Sequence, residues 1–122
     1  MMNEHIRQAL AKDRTIDITT MGRTSGQPSR VEMWFHNLDG EIYISGSPGT
    51  RDWYANMLTN PDFTFHLKGS VTADLSARAT PITDANDRRA IMARILSGIN
   101  SSGDLEAWVA RSPLVAVAFD GA

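Results

Sequence analysis

Between Ser29 and Ser45 the chain reads SRVEMWFHNLDGEIYIS. Both halves are rich in β-branched and aromatic residues, and NLDG joins them. In the first half Val31, Met33 and Phe35 alternate with Arg30, Glu32, Trp34 and His36. That period of two belongs to a strand with one buried face and does not suit a helix. Asp39-Gly40 suits the positive φ angles of a tight hairpin turn. Residues 29–46 therefore read as a β-hairpin. The same alternation recurs in Ile16, Ile18 and Thr20, and again in Phe63, Phe65 and Leu67. Residues 71–80 and the closing PLVAVAF from Pro113 read as two further strands.

Helical spacing fills the gaps. Asn3 is placed to cap a short helix with Ile6 and Leu10 on one face. Thr50 is the expected N-cap of a helix through Thr59, stopped by Asn60-Pro61. Asp84 can cap a third helix, with Ile91, Met92, Ile95, Leu96 and Ile99 inward and Gly98 near its end. Ser101 or Ser102 is expected to start a fourth, with Leu105, Trp108 and Val109 inward. The order is helix, three strands, helix, two strands, two helices, strand. Short turns between strands imply a mostly antiparallel sheet, closed or half-closed into a barrel. A doubly wound parallel sheet would need regular strand–helix alternation, which is missing.

The chain has 122 residues, so one domain spanning 1–122 is expected. Its net charge of −2 argues against nucleic acid as a partner of the whole surface, so any anion needs a local site. The absence of cysteine removes disulfides, thiolate nucleophiles and cysteine zinc sites together. The start, MMNEHIRQALAKDR, lacks the apolar centre of a secretory signal. No apolar run approaches the ~18 residues of a membrane span. A cytoplasmic location is the resulting expectation.

Two segments concentrate groups that bind anions. In GRTSGQPSR, Gly22 and Gly26 let backbone N–H groups converge, Arg23 and Arg30 add fork-shaped donors, and Thr24 and Ser25 add hydroxyls. A solvated hairpin loop would explain the same glycines. In SGSPGTRDWYANM, a glycine-rich entry leads into a helix N-terminus, a ready anion site, with Thr50 and Arg51 at its start. Arg51 opposes the dipole of its own helix, which an intervening anion would explain; a plain capped helix with a tolerated arginine reads the same. Trp53 and Tyr54 point about 100° apart on that helix, so one can pack inward while the other borders a pocket. His36 and His66 fall on strands without metal-ligand spacing, so no metal is expected. No GxSxG elbow is present, and no nucleophile–base pair stands out. A redox cofactor would account for that gap, because it carries the chemistry while the protein binds and orients it.

The stretch TTMGRTSGQPSRVEMWFHNLDGEIYISGSPGTRDWYANMLTNPDFTFHLKG resembles the deazaflavin-dependent nitroreductase family, closely so from Thr19 to Gly69. The closing ARSPLVAVAF resembles that family's last strand. The pairing of GR-x-SG-x-P with WY-x-N-x-x-x-NP carries the likeness. These proteins are relatives of pyridoxamine-phosphate oxidases and use reduced coenzyme F-420. The resemblance implies an α+β fold, a mostly antiparallel six-stranded split β-barrel with flanking helices. It implies cofactor contacts from Thr20, Gly22, Arg23, Ser25 and Gly26, and phosphate or tail contacts from Ser47, Thr50, Arg51 and Trp53. Arg30 joins them as a third cation. The implied activity is hydride transfer from the reduced deazaflavin to a quinone, nitro compound or activated enone, with Tyr54 or His36 as candidate proton donors. Two departures are visible: Thr24 stands where many members carry lysine, and the segment before WY is shorter, with Arg51 nearest their usual lysine. Fewer basic residues leave FMN as the alternative cofactor, for a flavin reductase or a cofactor carrier without turnover. A homodimer through a sheet face is a further option, which the apolar side of WYANML could serve.

Overall fold

The computed structural model describes residues 2–99, 101 and 103–120. Six strands close into a barrel in the order β1-β2-β3-β6-β5-β4, with every neighbouring pair antiparallel. They are β1 (Thr15–Met21), β2 (Pro28–Leu38), β3 (Glu41–Ser45), β4 (Asp62–Lys68), β5 (Thr72–Pro81) and β6 (Leu114–Phe119). Four helices accompany them: α1 (Glu4–Lys12), α2 (Asp52–Thr59), α3 (Ala85–Gly98) and α4 (Leu105–Arg111). The expected α+β class, the antiparallel barrel and the order of all ten elements are present. Closure gives every strand two neighbours, but residues 28–34 of β2 pair only with β1 and residues 72–76 of β5 only with β4, so the barrel is splayed along those stretches.

Alternation decides which side chains fill the barrel. Ile16 and Ile18 of β1, Phe35 of β2, Ile44 of β3, Phe65 and Leu67 of β4 and Val115 of β6 point inward and are buried. The Phe65 ring takes the Phe35 and Phe119 rings edge-on, at centroid distances of 5.3 and 5.1 Å. Such T-shaped pairs add to the burial itself. A second cluster of Met92, Ile95, Val109 and Leu114 packs α3 and α4 together outside the barrel. The hairpin turn forms as its chemistry requires, with Asp39 at φ 55° and Gly40 at φ 93°.

Caps at Asn3 and Asp84 form as expected, each side-chain oxygen accepting a backbone N–H three residues on. Two expected helix starts are corrected. The residue at the N-cap of α2 is Arg51, which makes no side-chain cap bond, and Thr50 lies one residue outside. The cap of α4 is Asp104, whose carboxylate accepts from the Glu106 N–H, and neither serine fills that role. Ser101 instead accepts from the Gly103 N–H and tightens the approach to α4; Ser102 lies outside the described residues.

Candidate functional site

The loop after β1 is held by one buried amide. Asn56 on α2 is 4% exposed. Its Oδ1 accepts from the Arg23 backbone N–H (3.1 Å) and from Arg23 Nη1 (2.9 Å), while its Nδ2 donates to Thr20 Oγ1 (3.1 Å). Arg23 Nη2 also reaches the Asp52 carboxylate at 3.3 Å. The two glycine-rich segments therefore meet along α2, at Asp52 and Asn56. The Arg23 charge is answered there by groups of the protein itself. Gly22 donates to the Gln27 carbonyl, Gly26 takes φ 68°, and Ser25 Oγ accepts from the Gln27 N–H, so this loop is internally bonded.

Arg51 folds back in a similar way. Its Nη2 donates to the Ser47 carbonyl (3.0 Å) and hydroxyl (3.2 Å), and its Nη1 donates to the Thr50 carbonyl (3.1 Å). A Cβ added at Gly46 or Gly49 would sit 3.3 or 3.2 Å from this guanidinium, so the loop wraps it closely. The clash of Arg51 with its own helix dipole is relieved by these loop oxygens. Arg30 lies elsewhere: its Nε donates to Asp17 at 2.9 Å, within a cross-strand network where Lys68 bridges Asp17 and Glu32. The Lys68 ammonium and then the Arg30 guanidinium hold the Asp17 carboxyl below its usual range.

A groove of about 450 Å³ runs along β2, past the loop at Gly46 and Ser47 and the start of α2. Its walls include Met33, Trp34, Trp53 and Trp108, and Arg51, Ser47 and His36 also line it. The one carboxylate in this lining, Glu32, is bonded to Lys68. Burial, and then the Arg14 charge, push the His36 imidazolium down to a pKa of about 4. His36 is thus neutral at pH 7 and has no extra proton to give. The donor set, a guanidinium and a hydroxyl beside indole walls, fits a planar ring carrying an anionic arm.

Of the residues singled out in the sequence, His36, Ser47, Arg51 and Trp53 line this groove. Thr50 and Tyr54 line a different cleft on the other side of α2, which Arg51 also borders. Thr20, Gly22, Arg23, Ser25 and Gly26 form the loop that docks on α2. Trp108, Met33 and Trp34 were not signalled as site residues, because they read as ordinary strand and helix positions. Asn56 did carry a signal: it is a polar residue on the same helix face as Trp53 and Met57. His66 does not meet His36. Its Nδ1 lies 2.7 Å from Asp74 and its Nε2 2.7 Å from Thr19 Oγ1, a clip across three strands. The carboxylate can only accept, so Nδ1 carries the proton.

Similar folds are known. A conserved hypothetical protein of Mycobacterium tuberculosis superposes with a TM-score of 0.76 at 18% identity, covering 98% of this chain and 82% of the other. An F420 reductase gives 0.74 at 16% identity, covering 99% and 97%. A FAD-binding protein of Mesorhizobium loti gives 0.71 at 16% identity, covering 98% and 91%. At such identities the likeness is one of fold. Sequence goes further, because residues 2–119 match the family described as F420H(2)-dependent quinone reductase. The match spans nearly the whole barrel and its helices, and so the chain belongs to that family of F420-dependent oxidoreductases.

Proposed function

We propose that this protein passes hydride from the reduced deazaflavin coenzyme to a small quinone, nitro or enone acceptor, in the groove along β2. The observation that carries the reading is the pairing of indole walls with the Arg51 guanidinium in one groove. Bound there, the reduced coenzyme supplies a hydride, and the acceptor needs one proton more to become the neutral reduced product.

The chain's part is binding, orientation and exclusion of water. Arg51 and Ser47 hold the anionic arm. Trp53 and Trp108 flank the ring and keep water from its faces. Arg23, Asn56 and Thr20 act one layer back, fixing the loop against α2. Gly22, Ser25 and Gly26 shape that loop for the coenzyme. Tyr54 does not line the groove and His36 is neutral at pH 7, so the proton comes from solvent at the groove's open side.

The test is anaerobic mixing of the protein with the reduced coenzyme and a soluble benzoquinone, followed by absorbance. Catalysed oxidation of the coenzyme together with stoichiometric hydroquinone supports the reading. Binding of the coenzyme without oxidation, across quinone, nitro and enone acceptors, refutes it in favour of a carrier.

A further inference from the structure

The cleft on the far side of α2 has its own chemistry. It has a volume of about 500 Å³ and lies between α2 and the junction of α4 with β6. Three arginines line it, Arg51, Arg88 and Arg111, and no aspartate or glutamate does. Among the described residues, none of the three makes a salt bridge, although the chain carries a net charge of −2. Arg88 is occupied by main-chain carbonyls of Ile82, Trp108, Val109 and Ser112. Carbonyls satisfy its N–H groups but leave its charge unbalanced. Arg111 is exposed, and its guanidinium has no hydrogen-bond partner among the described residues.

A second observation points the same way. Ser112 belongs to this lining and is 5% exposed. Its Oγ is the one buried side-chain polar atom among the described residues that lacks a partner. A buried hydroxyl left without a partner is costly, and native proteins seldom tolerate one without a reason. Apolar groups surround these cations: Leu58, 57% exposed, with Tyr54 and Ile82. A bare phosphate would leave this apolar wall wet. A neutral apolar molecule would leave the positive charge unanswered.

We propose that this cleft is a second ligand site, taking a small amphipathic carboxylate. Its head binds the Arg111 guanidinium and draws the enclosed Ser112 hydroxyl round to donate to it, and its apolar body lies on Leu58, Tyr54 and Ile82. The site is separate from the coenzyme groove, although Arg51 borders both.

The experiment titrates the coenzyme-free protein with octanoate, octanol and inorganic phosphate, read by calorimetry and by methyl resonances. Octanoate binds saturably and at least about tenfold tighter than either control, since only it satisfies both charge and apolar wall. The shifts centre on Leu58 and Ile82. Arg111→Gln weakens octanoate by about tenfold or more. Ser112→Ala weakens it too while leaving the melting temperature unchanged or raised, because the hydroxyl it removes has no partner in the folded chain. Saturating coenzyme F-420 leaves octanoate affinity within about threefold, the scatter expected of independent sites. Octanoate binding no better than the controls overturns the proposal. So do shifts centred on Val31 and Met33, the methyl-bearing residues of the coenzyme groove. Displacement of octanoate by the coenzyme also overturns it, since the cleft would then hold the coenzyme's own anionic arm. No turnover is measured, so the result is independent of whether the protein is a reductase.

Discussion

Lowering the pH from 7 to 4 should destabilise the fold through His36. In the unfolded chain its imidazole takes up a proton near the ordinary value of 6.5; in the fold it does so only at about 4, chiefly because burial disfavours the charged ring. Above 6.5 both states are neutral and the residue is silent. As the pH falls from 6.5 towards 4, the unfolded state binds the proton and the native state does not, so stability is lost across that window. The gap is worth about 3 kcal/mol at about 1.4 kcal/mol for each pH unit, and less where solvent reaches the half-buried ring. The perturbation is His36→Gln, which keeps a polar side chain and removes the titration. Urea unfolding of both proteins at closely spaced pH values from 7.5 to 4 gives the difference, in which the carboxylates common to both cancel. The wild type should lose about 2–3 kcal/mol more than the variant over the window. Parallel profiles, or a His36 ring that titrates near 6.5 by NMR, would show that neither burial nor Arg14 acts on it as described.

The remaining predictions concern the groove and its support. Arg51→Ala should weaken coenzyme binding by about 1–3 kcal/mol, measured by fluorescence titration, whereas Arg30→Ala, whose guanidinium is spent on Asp17, should change it by less than about 1 kcal/mol. A side-by-side titration should rank the deazaflavin coenzyme above FMN, and tighter binding of FMN would reverse the cofactor assignment. Asn56→Leu should cost about 1–3 kcal/mol in urea unfolding and speed amide exchange at Arg23, since it strands three hydrogen bonds of a nearly buried residue. Phe65→Ala, at a fully buried ring in contact with two other phenylalanines, should cost about 3–5 kcal/mol; a loss under about 1 kcal/mol would mean that the barrel interior is not packed as described.

The barrel was legible because its information is local. Alternation in residues 15–21, 28–38 and 62–68 fixes which side chains face inward, and Asp39-Gly40 fixes the hairpin turn. Helix caps were less certain, since several polar residues compete at each start. Thr50 loses to Arg51 because the loop turns Arg51 back onto Ser47, and Asp104 displaces the serines by offering a carboxylate one residue before α4. The groove was half legible. Ser47, Arg51 and Trp53 stand in one segment with a recognisable pattern, but Trp108 comes from a helix more than fifty residues away and reaches the groove only when α3 and α4 pack together. The roles of Arg23 and Arg30 could not be read either. A sequence shows that an arginine is present, and its partners are set by register: Arg30 stands opposite Thr19 on β1, close to Asp17.

By itself, then, the sequence determined the element types, the antiparallel barrel and the family, because periodicity, turn residues and short motifs act over a few positions of chain. Tertiary structure alone decided which cations face solvent-filled space and which are answered by protein oxygens. It also parted Trp53 from Tyr54 onto two clefts and left Ser112 without a partner. Those outcomes depend on distances between residues far apart in the chain, and no local pattern encodes them.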